Sequence, residues 1–233
     1  MSKPLVVVES PTKVRTIKKY LGSDYKVAAT VGHIKDLPNK EMGIDVEDGF
    51  KPKYQYIPGK QKIVKSLKQA AGDTHDVYLA PDPDREGEAI AWHTADVLKK
   101  KGRNFYRVLF HELTKDSVRK AMTSPEVLDR SKYEAQQARR ILDRLVGYQV
   151  SPLLWRKVKG GLSAGRVQSV AVRIICERER AIQAFVSEEY WSITAHLNSD
   201  VPPPFAAKLV KKDLEKVKIP HAKAADQILK ELN

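Results

Sequence analysis

Residues 78–88 read Tyr78-Leu79-Ala80-Pro81-Asp82-Pro83-Asp84-Arg85-Glu86-Gly87-Glu88, and residues 5–11 read Leu5-Val6-Val7-Val8-Glu9-Ser10-Pro11. Both are short apolar runs that end in acid and then turn toward a helix start. Leu5 to Val8 is continuous and β-branched, as expected of a central strand buried on both faces. Ser10 is a natural helix cap with Pro11 at the first helical position, and Val14, Ile17 and Leu21 give the following helix an apolar stripe. Two such strand-to-helix units point to an α/β domain with a largely parallel sheet flanked by helices. In an open parallel sheet, ligands bind beyond the carboxyl ends of the strands, which is where Glu9 and the Asp82–Glu88 acids fall.

Outward from these strands, further elements alternate as far as residue 122. Tyr25 to Val31 reads as a strand. Gly32 to Gly59, rich in Gly, Pro, Asp and Lys, reads as a long functional loop. A helix over 60–71, a strand over 76–80, a helix over 86–100, a strand over 106–110 and a helix over 114–122 complete this part. From Ser131 the texture becomes helical. Ile141, Leu142, Leu145 and Val146 form one apolar band, and Val167, Val170, Ala171, Ile174, Ile182 and Phe185 form another, so packed helices are expected, with Lys159-Gly160-Gly161 between them. Strands over 190–197 and 205–210, a Pro202–Pro204 linker and a terminal helix over 222–232 follow. The expected divisions are 3–113, a helical section over 114–186, and the start of a β-containing domain over 187–233.

The chain has 233 residues, 42 of them Lys or Arg and 29 Asp or Glu, a net charge of +13. With 42% hydrophobic residues it has material for a core, and its basic excess favours a polyanionic partner. The single cysteine, Cys176, rules out an internal disulfide or a Cys-based zinc site and reads as a small core residue. No apolar run approaches the ~20 residues that cross a bilayer, and Met1-Ser2-Lys3-Pro4 lacks a signal-peptide layout, so a cytoplasmic protein without membrane contact is expected.

Pro83 keeps Asp82 extended, and residues two apart in an extended segment face the same way, so Asp82 and Asp84 can converge while Glu86 and Glu88 enter the next helix. Several carboxylates in one pocket repel unless a hard divalent cation relieves them; Mg²⁺ is the natural choice because it also meets phosphate oxygens. Acids at a helix start also complement the helix dipole, and for Glu88 a solvated cap is the simpler reading. Lys13 lies one turn beyond Glu9. His33 lies in the Gly32–Pro38 loop, where a polar surface role is the simpler reading.

Excess charge gathers in residues 131–185, which hold 11 Lys or Arg against 4 Asp or Glu. Arg140, Asp143 and Arg144 share one helix face, suited to gripping phosphate oxygens, although an Arg139–Asp143 surface ion pair would account for part of the pattern. Gly160 to Arg166 leads small residues into a helix start, which favours an anion. Trp155 can stack on a base or sit in a core.

The strings VVVESPTKVRTIKKYLG, VGHIKDLP, APDPDREGEAIAWH and GLSAGRVQSVAVR resemble the bacterial type IA DNA topoisomerases, with the first and third resembling the two halves of a Toprim domain. This resemblance runs from Leu5 to about Trp191. It implies a Mg²⁺-dependent enzyme that cuts one DNA strand through a tyrosine, passes another strand, and reseals, relaxing negatively supercoiled DNA. By motif match, Glu9 would act on the leaving 3′ oxygen and Lys13 on the phosphate, with Asp82, Asp84, Glu86 and Glu9 holding Mg²⁺. His33, Arg139, Arg140, Asp143, Arg144, Arg156 and the run Ser163, Ala164, Gly165, Arg166, Val167, Gln168 would contact DNA. None of the nine tyrosines stands in a context like the family's nucleophile, so the resemblance implies the N-terminal part of a larger enzyme, inactive in relaxation alone. Its expected setting is a monomer acting on single-stranded or negatively supercoiled DNA at the bacterial nucleoid. A stand-alone Toprim nuclease and a non-enzymatic single-strand-binding module are the competing expectations.

Overall fold

The structure is a computed structural model describing residues 2–198 and 203–232. The chain divides into two units, residues 1–169 and 170–233. In the first unit the elements run β1 (Leu5–Val8), α1 (Pro11–Leu21), β2 (Lys26–Ala29), β3 (Lys35–Asp36), β4 (Ile44–Asp45), β5 (Lys51–Pro52), β6 (Gln55–Tyr56), α2 (Gln61–Ala71), β7 (Asp76–Leu79), α3 (Arg85–Leu98), β8 (Asn104–Arg107), α4 (Lys115–Thr123) and α5 (Arg130–Lys157). The division falls inside α6 (Arg166–Gln183), and the second unit continues with β9 (Thr194–Leu197), β10 (Phe205–Lys208), β11 (Lys211–Lys212), β12 (Glu215–Lys216) and α7 (Ala222–Leu232).

The expected parallel sheet is present, in the order β2-β1-β7-β8. All four residues of β1 are buried. Successive side chains of a strand point to opposite faces, and β1 divides accordingly. Leu5 and Val7 join Leu67, Ala71, Val77, Leu79, Ala91 and Leu98 on the face covered by α2 and α3. Val6 and Val8 join Ile17, Val118 and Met122 on the face covered by α1 and α4. Each Val, Leu, Ile or Met among them, fully buried, stabilises the fold by about 1.5–3 kcal/mol. From β1 the chain moves to β2 on one side, then returns across β1 to β7 and β8 on the other. The carboxyl ends of β1 and β7 therefore flank the point where the strand order reverses, the usual place for a ligand.

Several expectations are corrected. The 106–110 strand is β8, shifted to Asn104–Arg107 because its ladder with Asp76–Leu79 sets the register. The 32–59 segment is not a plain loop: β3 pairs with β6 and β4 with β5, antiparallel ladders too short to leave a periodic pattern. Cys176 is exposed rather than a core residue. The second apolar band is not packed either, since α6 buries none of its residues. Ile141, Leu145 and Val146 are half-buried and Leu142 is exposed. Of the expected proline linker, Pro202 lies outside the described residues. Among those residues no helix is long and apolar enough to cross a membrane.

Candidate active site and nucleic-acid groove

Local rules place the first two site residues. The Ser10 side chain caps α1 by accepting from the Lys13 amide at 3.3 Å, and Pro11 starts the helix. One turn then separates Glu9 from Lys13, whose ammonium donates to Glu9 Oε1 and Asp82 Oδ1 together. Burial alone would lower the Lys13 pKa, but hydrogen bonds and charge from Asp82 and Glu9 raise it above its ordinary value, so the ammonium stays charged. The second Glu9 oxygen, Oε2, is buried with no hydrogen-bond partner. Such an atom is costly unless something positive meets it.

The remaining acids divide by role. Asp84 caps α3, with Oδ1 accepting from the Gly87 amide at 2.7 Å. Glu86 Oε2 meets His33 Nε2 at 3.1 Å and accepts from Gln136 Nε2 of α5 at 3.2 Å. Glu88 is neither a solvated cap nor part of this cluster. It is 1% exposed and receives Arg107 Nε at 2.8 Å, because a buried carboxylate needs a partner. Among the described residues no three His, Cys, Asp or Glu side chains are grouped as a preformed metal site. The hard-oxygen donor set and the partnerless Glu9 oxygen nonetheless suit a hard cation, with Asp82, 54% exposed, open beside it.

His33 follows a strained turn. Val31 has φ 55°, unusual for a β-branched residue, and is held by Lys60 Nζ on its carbonyl and by the Gly32 amide on the Glu9 carbonyl at 2.9 Å.

A cavity of about 320 Å³ opens next to Glu86 and His33 and runs to Arg139, Arg140 and Asp143. Its wall includes Lys35, Asp36, Tyr54 and His93, none of which the sequence reading singled out. Asp36 takes a two-pronged contact from Arg140, with Nε at 2.8 Å, and this hydrogen bond raises the arginine's pKa. Burial pushes the Tyr54 hydroxyl up to about 12. His93 is 6% exposed, neither ring nitrogen has a partner, and desolvation, followed by the charges of His33 and Lys35, lowers its pKa to about 4.

A pH dependence follows from His93. The unfolded chain binds a proton near pH 6.5 and the folded chain only near 4, so stability rises with pH across that window and is fully present above it. The His93 contribution is of order 2–3 kcal/mol between the two limits. Urea midpoints at pH 4.5 and 7 are expected to differ less in His93→Leu than in the parent chain; equal differences would remove His93 as the cause.

A second cavity, of about 530 Å³, shares Arg140 and Asp143 with the first and continues along Arg144, Tyr148, Ser151, Trp155, Ser163 and Ala164. Arg144 donates to the Pro38 carbonyl at 2.6 Å and the Glu41 carbonyl at 3.1 Å, and lies 5.2 Å from the Tyr148 ring centre. Asp143 stands 3.9 Å from Arg139 but accepts from Arg166 Nε at 2.7 Å, so the stronger partner comes from the next helix. Trp155 is half-exposed on the cavity wall, with Nε1 donating to the Leu162 carbonyl, which sets aside the core reading. Ser163 and Gln168 are within 3.3 Å of each other, and the Ala164 amide donates to Ser151 Oγ at 3.1 Å. Arg156, Gly165, Arg166, Val167 and Gln168 line neither cavity, and all of them but Gly165 are exposed.

Comparison with known proteins agrees with this layout. The Toprim domain family matches residues 4–113, and a DNA topoisomerase family matches residues 127–233. Among solved structures, full-length topoisomerase I from Thermotoga maritima, in a monoclinic crystal form, superposes with a TM-score of 0.73 at 43% identity. The match covers 96% of this chain and 37% of that one.

Proposed function

The chain belongs to the bacterial type IA DNA topoisomerases, and from that premise we propose that it supplies the cation site and part of the single-strand groove of an enzyme that relaxes negatively supercoiled DNA. The chain spans just over a third of the Thermotoga protein, so strand cleavage, passage and religation are proposed for a longer protein carrying the nucleophilic tyrosine. The observation that carries the reading is the Glu9–Lys13–Asp82 bridge, with the buried Glu9 Oε2 left without a partner.

In this reading Lys13 sets its ammonium against a DNA phosphate, and Glu9 exchanges a proton with the 3′ oxygen that leaves in cleavage and returns in religation. Phosphoryl transfer needs mostly positioning and charge stabilisation, which an ammonium held by two carboxylates provides. Glu9, Asp82, Asp84 and Glu86 would hold Mg²⁺. Bound there, the cation supplies positive charge for the phosphate oxygens. His33 stays aimed at the same place through Glu86. The groove arginines, Asp143 and the Ser163–Gln168 run carry the single strand away from the acids, with a base against Trp155 or Tyr148. The protein acts as a monomer in the cytoplasm, at the nucleoid. The proposed domain divisions are 3–113, 114–186 and 187–233.

The cation half is tested by titrating Mn²⁺, a spin-active stand-in for Mg²⁺. Binding is expected to weaken at least tenfold in Asp82→Asn; equal affinity in that variant would take Asp82 out of the site. The groove half is tested by salt dependence. Arg156 is exposed, and Arg156→Ala is expected to flatten the log affinity against log salt slope by about 0.7 if it neutralises one single-strand phosphate. An unchanged slope would show that no single-strand phosphate rests on Arg156.

A further inference from the structure

Among the described residues Arg107 is the largest fully buried side chain, a charged group 1% exposed at the end of an edge strand. Its fork does not face the cavities. Nε donates to Glu88, NH1 to the carbonyls of Leu79 at 3.1 Å, Pro81 at 2.9 Å and Val108 at 3.2 Å, and NH2 to the Asp82 carbonyl at 2.6 Å. Two of those carbonyls, of Pro81 and Asp82, belong to the turn that presents Asp82, and Leu79 ends β7 just before it. The other Glu88 oxygen, Oε1, accepts from the Asp129 amide at 2.8 Å, and Asp129 is the residue that caps α5. The Arg107 backbone also pairs in both directions with Glu126, three residues before that cap, each hydrogen bond being 2.8 Å.

One buried ion pair thus has its cation on the acidic turn and its anion on the start of the helix carrying Arg139, Arg140, Asp143 and Arg144. A buried pair of this kind is a weak source of stability, since desolvation offsets most of the attraction, so its retention calls for another reason. Its geometry supplies one. The guanidinium satisfies carbonyls that the turn cannot satisfy itself, and the carboxylate accepts from the backbone amide of Asp129, the residue that caps α5.

We propose that Arg107 and Glu88 are positioning residues that hold the Asp82 turn and the start of α5 in one register, so that a shift in either is felt by the other. Neither touches the proposed cation or DNA through its side chain. The consequence for function rests on the reading above, in which the acids and the α5 groove serve a single site.

Hydrogen exchange of the 233-residue chain tests the coupling without any ligand. Arg107→Lys keeps the charge and loses the fork. Although the residue 107 side chain contacts neither amide, exchange at Asp129 and Lys132 is expected to quicken at least tenfold, while the β1 and β7 ladder amides stay within about threefold of the parent. If that variant does not fold, Arg107→Met with Glu88→Met removes both buried charges at once, and the same local pattern is expected. Unchanged exchange at 129 and 132, or a uniform rise over the whole chain, would overturn the proposal. A merely structural pair would lower the thermal midpoint and leave Mn²⁺ affinity alone, whereas Glu88→Gln is expected to weaken Mn²⁺ at least tenfold at a matched fraction folded. A parent chain that binds no Mn²⁺ would refute the cation reading, and the exchange data would still decide the register claim.

Discussion

Glu9→Gln, introduced into the longer enzyme, is expected to slow strand cleavage by roughly 30- to 1,000-fold, the equivalent of about 2–4 kcal/mol of lost transition-state stabilisation. The substitution keeps the shape of the side chain and removes its charge and its capacity to take a proton. Glu9 Oε1 now accepts from Lys13, and Oε2 lies buried and partnerless. An amide there offers one acceptor instead of a carboxylate and turns an N–H₂ group toward either the ammonium or the empty side. Lys13 would lose one of the two acids that raise its pKa, with Asp82 remaining. Single-strand binding without Mg²⁺, proposed to depend on the arginines, should change little. Single-turnover cleavage of an oligonucleotide measures the effect, and a parental rate would remove Glu9 from the chemistry.

Gly87→Ala is expected to be the most disruptive small substitution in the acidic turn. A Cβ at position 87 would overlap the Asp82 carbonyl oxygen and lie 2.8 Å from its carbon and 3.0 Å from its nitrogen. The neighbour is backbone, which cannot rotate aside, and its carbonyl is held by Arg107 at 2.6 Å. Overpacking of this kind destabilises by about 1–3 kcal/mol, and a backbone collision belongs at the upper end. Asp82 would move with its backbone, so Mn²⁺ affinity should fall together with the urea midpoint. A variant with parental values of both would show that the turn has room that the structure does not give it.

The parts of the fold governed by neighbours in sequence were legible before the structure. Leu5 to Val8 read as a doubly buried strand because four consecutive apolar residues leave no polar face. Ser10 and Pro11 marked the start of α1 by capping chemistry, and the acids at the ends of β1 and β7 marked a candidate site because ligands gather at strand ends. Glu88 was misread because the same capping rule applies to any acid in a first helical turn, and only its distant partner Arg107 shows that it is buried. Asp36 escaped notice for a similar reason, since its arginine is 104 residues away. His93 sits in a helix whose pattern gives no sign of an unpartnered ring. The stripe on α6 was read correctly as helical and wrongly as packed, because periodicity reports which residues share a face and not what covers it.

In the proposed enzyme Glu9, Asp82, Asp84 and Glu86 and the α5 arginines form one continuous, cation-assisted surface for single-stranded DNA. The most direct measurement is anisotropy of a labelled single-strand oligonucleotide over a salt series, with and without Mg²⁺, each end point run on a gel. Steeply salt-dependent binding is expected, strengthened by Mg²⁺ in the parent chain and not in Asp82→Asn, with the DNA recovered intact. Binding indifferent to Mg²⁺ and to the acids, or cutting of the DNA by this chain once Mg²⁺ is added, would contradict it.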